Sequence, residues 1–376
     1  MKKIIFTLYF IFLLLLTGFS YLFVDPNFFY LKGEYLRFAF NNRSLVTLIY
    51  TAFIFLFFIF YFLFVALARK NQLSLKAVKA LIGATSVLIF SYPAMLSYDI
   101  FNYAATAKVS FFYQENPYLV MPIEFVGDPL LAFTHAANKF ALYGPLWIFL
   151  TGIPHFLGFG NFLLILLNIK FFIVLFYLAT VFLIWKILNN LNSVLLFALN
   201  PLIIIETFVS SHNDIAMMFL ALLSLFLLFR KKVFLAIIFL ILSILIKYAT
   251  LFLLPVFGYI IWKNIVKKKI SQDKIFLLSA FSMFVVFILA PLREEIYPWY
   301  AIWFLIFFLL LPSKKFIVWL SIAFSFGLLL RYLPFMYQGS YLGIVQPAKT
   351  VLTFIPPVFV SIYFILNILW SKKFYR

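Results

Sequence analysis

The sequence predicts an all-α, polytopic transmembrane helical bundle, and three observations carry that prediction. Hydrophobic residues make up 66% of the chain, charged residues only 11%, and the mean hydropathy is +1.12, so no soluble packing could withdraw that much apolar surface from water. The apolar runs are continuous, as from Ala52 to Leu67, and lack the alternation of a membrane barrel. Helices are then the structure that satisfies every backbone amide in hydrocarbon. Finally, 30 Lys and Arg against 11 Asp and Glu give a net charge of +19, but the basic residues fall in short clusters between the runs. That pattern follows the positive-inside rule and argues against a nucleic-acid partner.

Runs of spanning or near-spanning length occupy residues 4–24, 45–67, 80–96, 145–160, 162–185, 193–209, 214–229, 233–247, 249–262, 274–292, 297–312, 316–332 and 350–370. They predict about 11–13 membrane segments in a single integral-membrane domain spanning 1–376. The first run follows Met1-Lys2-Lys3, is long for a signal-peptide core and lacks an Ala-x-Ala site, so an uncleaved span is expected. Basic clusters at Lys2-Lys3, Arg69 to Lys79, Arg230 to Lys232, Lys263 to Lys269, Lys314-Lys315 and Lys372 to Arg376 mark one face as cytoplasmic, and both termini with it.

Residues 25–44 and 97–144 then lie outside. Five runs separate the inside clusters at 79 and 230, and an odd number cannot join two inside loops. One run must be re-entrant or interfacial, and 145–160, with Gly152, Pro154, Gly158 and Gly160, is the one expected to be. His212 to Asp214 then face outside. The runs 233–247 and 249–262 are short for spans, and Lys247 with Pro255 predicts a hairpin that brings Lys247 near the outer face. Cysteine is absent, which removes disulfides, thiolate metal sites and a cysteine nucleophile.

The outer loop at 97–144, expected to carry short interfacial helices, opens with Ser97-Tyr98-Asp99-Ile100-Phe101-Asn102-Tyr103. In so apolar a chain, a carboxylate at a bilayer boundary is a functional candidate. Its pKa is tunable by the low-dielectric edge, and it can accept a proton from a hydroxyl nucleophile; a helix cap accounts for it equally well. Downstream come Asn116-Pro117-Tyr118, Gly127-Asp128-Pro129 and Tyr143-Gly144-Pro145-Leu146-Trp147. Further on are Asn200-Pro201-Leu202, Glu206, Ser211-His212-Asn213-Asp214, Ile246-Lys247-Tyr248 through Leu254-Pro255, and Pro298-Trp299-Tyr300. In this order the motifs resemble those of the GT-C glycosyltransferases and are most similar to the polyprenyl-phosphomannose-dependent mannosyltransferases. The resemblance runs from about Tyr92 to Trp303; the first two spans and the chain after Phe316 fall outside it.

The resemblance implies a membrane glycosyltransferase that moves a hexose, mannose in the similar enzymes, from a polyprenyl-phosphate donor to an acceptor hydroxyl on the outer face, with inversion. It implies a general-base role for Asp99, and it draws Tyr98 and Tyr143 into the substrate site through their motifs. The leaving phosphate needs cations, and Lys247, Arg293 and Arg331 are those nearest the outer side. Lys247 is favoured, because an ammonium inside an apolar segment is costly without an anionic partner.

His212, Asn213 and Asp214 are expected to hydrogen-bond sugar hydroxyls, with a helix cap as the structural alternative for Asp214. Asp128 is expected to orient the sugar or assist the base, although Gly-Asp-Pro is also good turn chemistry. Trp299 and Tyr300 are candidates for stacking on a sugar, or members of an aromatic belt. Glu115, Glu124, Glu294 and Glu295 read as surface acids. His212 and Asp214 diverge at i, i+2 on a helix and have no third ligand near in sequence, so neither a metal nor another cofactor is expected. The expected partners are the lipid-phosphate sugar, a glycan or lipid acceptor and the bilayer. The rival reading is a transporter or a flippase of lipid-linked sugar, which commonly shows internal repeats; none is visible.

Overall fold

The computed structural model describes residues 2–25, 27–28, 34–292 and 294–374, and among them it contains helices and no strands. The α-helices in chain order are α1 (Lys2–Ser20), α2 (Glu34–Asn41), α3 (Arg43–Arg69), α4 (Leu75–Thr85), α5 (Asp99–Phe111), α6 (Pro145–Leu157), α7 (Phe162–Leu188), α8 (Leu191–Ala198) and α9 (Pro201–Ile204). They continue with α10 (Asp214–Phe229), α11 (Val233–Ile244), α12 (Leu254–Ile265), α13 (Gln272–Leu289), α14 (Ile302–Phe308), α15 (Lys315–Leu330), α16 (Leu333–Gln338) and α17 (Val345–Phe374). Among the described residues, seven helical stretches are long and apolar enough to cross a membrane, or eight if Leu191–Ala198 and Pro201–Val209 form one broken span. This is a multi-pass membrane protein.

The difference from the expected segments lies in where the runs break. Apolar stretches of 10–17 residues form α6, α10, α11 and Pro298–Phe308, each shorter than the ~20 residues of a straight span. The run at 80–96 is not one helix: α4 ends at Thr85, and two short 3-10 turns, Ser86–Phe90 and Pro93–Met95, follow. Pro93 lacks the amide that a continuing helix would use, and it disfavours helical backbone at Tyr92. Hydropathy alone is blind to that break. The segment expected to be re-entrant or interfacial, 145–160, holds the 13-residue α6.

The chain divides into two compact units, the first comprising Met1–Ala39, Lys79–Ile187 and Ile204–Phe252, the second Phe40–Val78, Leu188–Ile203 and Leu253–Arg376. The first is held by polar bonds between otherwise apolar helices. Tyr9 on α1 bonds Thr85 at the end of α4 (3.0 Å), and the Tyr92 amide donates to Ser20 Oγ (2.7 Å). Lys170, in the middle of the α7 span, is buried and donates to Ser91 O (2.6 Å), Ser91 Oγ (3.1 Å) and Val209 O (3.2 Å). An ammonium has three N–H donors, and here three acceptors meet them. α10 and α11 form a close pair, joined by the Ser243 hydroxyl to Met217 O (2.8 Å) and by the Ser224 hydroxyl to Ala236 O.

In the second unit, Phe284, Phe287, Phe304 and Phe324 pack together with ring centroids 5.0–6.0 Å apart, edge to face except for the stacked pair Phe284–Phe287. The Tyr50 and Tyr61 hydroxyls donate to the carbonyls of Leu329 (3.1 Å) and Leu196 (3.0 Å). Asn200 begins α9 by accepting from the amides of Leu202 (3.0 Å) and Ile203 (3.3 Å), and its own amide donates to Ser325 Oγ (3.0 Å).

Gly144 explains the Tyr-Gly-Pro-Leu motif. Its amide donates to Ile246 O (3.0 Å), and Leu146 N donates to Leu245 O (3.0 Å), so the start of α6 lies against the chain just past α11. A Cβ at 144 would sit 2.2 Å from Leu245 O and 2.8 Å from Leu245 C, atoms that cannot step aside as a side chain can. Gly144→Ala is expected to push Lys247 out of place and to lower activity by about 100-fold. Paired activity and melting measurements on the purified variant check this; unchanged activity would refute the role given to the contact.

Candidate active site

α5 starts at Asp99, whose amide donates to Ser97 Oγ (3.3 Å), and the carboxylate at a helix N-terminus is favoured by the helix dipole. Asn102, Tyr103 and Thr106 follow on the same helical face. A second part of the site comes from Ile205–Val209, a π-helical turn carrying Glu206, and from the link Ser210–Asn213 before α10. π-Turns occur often at functional sites. The link is drawn tight: His212 N donates to Glu206 O (2.9 Å), Asn213 N donates to the Tyr103 hydroxyl (3.2 Å), and Ser211 has φ +60°. A non-glycine residue in that left-handed region costs of order 1–3 kcal/mol.

The result is a linear array. His212 Nδ1 lies 3.3 Å from Asp99 Oδ2, and Nε2 lies 3.3 Å from Glu206 Oε2. Beside it, Lys247 Nζ lies 2.8 Å from Asp214 Oδ2, in the first turn of α10. The side chains of His212, Glu206 and Asp214 are fully buried, whereas Asp99 is 24% exposed and Lys247 17%. Within this cluster, therefore, one carboxylate and one ammonium face outward. Burial pushes the Asp99 carboxyl up, but hydrogen bonds from His212 and Asn102 and the charge of Lys247 outweigh it and hold the group below its ordinary value. Tyr103 sits behind, edge-on to Tyr143 (4.6 Å) and Trp147 (5.3 Å), its phenol pushed far up by burial and by Asp99.

The structure thus brings Asp99, His212, Asn213, Asp214, Lys247 and Tyr143 into one region of the first unit. Asn213 is fully buried, and neither end of its carboxamide is hydrogen-bonded among the described residues, a costly arrangement unless a partner is supplied. Tyr98 stacks on His135 with centroids 3.6 Å apart, and burial first, then the Asp25 charge, push its phenol up to about 12.

Asp128 has structural partners: Lys108 Nζ (2.8 Å), the Tyr113 hydroxyl (2.8 Å) and Leu130 N (2.9 Å), the last capping the turn Pro129–Phe133. These are the bonds that the turn-chemistry alternative expects. Asn116-Pro117-Tyr118 is likewise a staple, with Tyr118 N on Asn116 Oδ1 (3.0 Å) and the Tyr118 hydroxyl on Tyr143 O (2.7 Å).

Trp299, Tyr300 and Arg331 belong to the second unit. Trp299 stacks on Tyr297 (4.6 Å), and Tyr300 stacks on Trp303 (4.2 Å) and donates to Glu294 (3.1 Å). Glu295 is no mere surface acid: it binds both Arg331 (3.3 Å) and Lys349 (2.7 Å). Arg293 lies outside the described residues. Glu206, Tyr103, Lys170 and Lys349 carry polar structure to which sequence reasoning gave no role. An ionisable group inside an apolar run was the available signal for Lys170 and Glu206. Among the described residues, no three His, Cys, Asp or Glu side chains are grouped to hold a metal ion.

The fold is that of a polytopic helical membrane protein, and a family match supplies its class, a membrane glycosyltransferase. Residues 11–263 match the family model described as alpha-(1->6)-mannopyranosyltransferase, N-terminal domain, and the chain belongs to this mannosyltransferase family. No curated protein and no solved structure matches it significantly.

Burial pushes the Asp128 carboxyl up, but Lys108, Leu130 N and Tyr113 together hold it below its ordinary value. Its contribution to stability is then present above the unfolded pKa of about 3.9 and lost as pH falls through the lower folded value. Asp128→Ala is expected to destabilise the loop by about 1–3 kcal/mol at neutral pH and to open it to protease. Limited proteolysis of wild type and variant checks this, and the difference should vanish at strongly acid pH.

Proposed function

We propose that this mannosyltransferase uses a polyprenyl-phosphate mannose as donor and works by a single inverting displacement on the outer face, with Asp99 as general base. The observation that carries the reading is the pairing of one outward carboxylate with one outward ammonium at the mouth of an otherwise buried polar cluster. In the step, the acceptor oxygen attacks the anomeric carbon, the bond from that carbon to the phosphate oxygen breaks, and its electron pair leaves with the polyprenyl phosphate. The acceptor's proton goes to the Asp99 carboxylate. A low carboxyl pKa suits this timing, because an oxygen that has begun to bond carbon is far more acidic than a free hydroxyl.

Lys247 steadies the leaving phosphate. Its ammonium has three donors, so the ion pair with Asp214 and a phosphate contact are compatible. The buried Asn213 carboxamide suits sugar hydroxyls. No metal is needed in this scheme. The family description names an alpha-(1->6) linkage; applied to this chain, it makes the acceptor a primary C6 hydroxyl, and inversion then requires a β-linked donor. The outer-face assignment rests on the basic clusters between the apolar runs.

Asp99→Asn in liposomes, supplied with synthetic polyprenyl-phosphate mannose and an alkyl mannoside, is expected to lower kcat by about 10²–10⁴-fold with little change in KM. Wild-type rates from a folded variant would overturn the base assignment. Because the base must be ionised and its carboxyl is held low, kcat/KM of the wild type should persist through mildly acid pH. It should fall only as pH drops through that lowered value, which a pH profile reads directly.

A further inference from the structure

The buried half of the array carries an inference of its own. The His212 ring is fully buried, and each of its two nitrogens faces a carboxylate at 3.3 Å, so neither is directed at a substrate. Glu206 is also fully buried and lies on the far side of the ring from Asp99. The chain spends unusual backbone on this geometry: a π-turn for Glu206, a left-handed Ser211, and two bonds, His212 N to Glu206 O and Asn213 N to the Tyr103 hydroxyl, on either side of the ring. Lys170 fixes the end of the same turn through Val209 O. A flat ring with nitrogens at opposite edges can span two carboxylates at a set separation, which neither Lys nor an amide reproduces.

We propose that His212 and Glu206 are positioning residues for mannosyl transfer: Glu206 braces the imidazole, and the imidazole holds Asp99 Oδ2 so that Oδ1 meets the acceptor hydroxyl. This rests on the reading of Asp99 as the base. A hydrogen bond donated by Nδ1 to Oδ2 favours the ionised carboxylate and directs the incoming proton to Oδ1. The hydroxyl's O–H bond breaks as the new Oδ1–H bond forms, and the Nδ1–H bond on Oδ2 is kept throughout. The arrangement matters most when the donor is bound, because an approaching phosphate anion would otherwise favour protonation of the carboxylate before the step. The charged and titratable groups around the pair are Asp99 and Glu206 on the ring, and Lys247, Asp214 and Tyr103 around Asp99.

The test uses the full chain in liposomes with the same donor and mannoside. Glu206→Leu and His212→Phe should each lower kcat by about 10- to 100-fold with donor KM unchanged, Glu206→Gln should recover most of the rate, and the double variant should be no worse than His212→Phe alone. In His212→Phe the acid limb of kcat/KM should move to higher pH, since the bond favouring ionised Asp99 is gone. A folded His212→Phe enzyme with wild-type kcat and an unmoved acid limb overturns the proposal. So does a loss that merely tracks melting temperature.

If Asp99→Asn is inactive while His212→Phe is normal, the positioning role falls and the base survives; if Asp99→Asn is fully active, both fall. Should the His212 and Glu206 variants not fold, ¹⁵N-histidine labelling keeps the question open to measurement, because the chain has 3 His. One ring should show both nitrogens hydrogen-bonded, with its Nδ1 signal alone displaced in Asp99→Asn. No displacement would refute the contact.

Discussion

Every buried charge in this chain must find its partner inside the protein, because the surroundings supply none. The rest of the structure answers to that constraint. Lys170 is taken up by two carbonyls and a hydroxyl, Asp214 by Lys247, Glu206 by His212, and Arg331 with Lys349 by Glu295. Each pairing fixes the relation of two stretches of chain that apolar packing would leave free to slide, since one Leu or Phe contact resembles another. Polar bonds set the register of these helices, and hydrophobic burial sets their number and direction.

The same constraint separates support from surface in the candidate site. His212, Glu206 and Asp214 are sealed, while Asp99 and Lys247 stay partly open. A group of either sign facing outward is thus backed by a buried group of the opposite or bridging kind. Such backing limits motion of the open groups, which favours a reaction that depends on orientation. It also holds the Asp99 carboxyl below its ordinary value, against the burial that pushes it up.

Much of this was legible in the sequence, and what was not has identifiable reasons. The helical class followed from the continuous apolar runs, and Asp99 and Lys247 stood out as charges against them. The partnership of Lys247 with Asp214 joins residues 33 apart, which no periodicity reports. Glu206 could be placed in an ordered motif but given no role, because a π-turn has no signature in a 3.6-residue pattern. Lys170 satisfied the same criterion that singled out Asp99, so the signal was present and went unused. The run at 80–96 misled because hydropathy averages over Pro93. Gly-Asp-Pro, by contrast, stated its turn chemistry openly.

The Tyr118 hydroxyl on Tyr143 O and Ala141 N on Pro117 O draw both ends of the stretch 119–140 together, while Gly144 is locked to the chain beside Lys247. The stretch is also tied back to α5, because Lys108 holds Asp128, His135 stacks on Tyr98 and Ala136 N donates to Asn102 Oδ1. An exchange at Phe133, His135 or Ala136 therefore bears directly on the residues that flank Asp99. The loop and the helix that starts at Asp99 are thus one mechanical piece, and a change in either must be accommodated by the other.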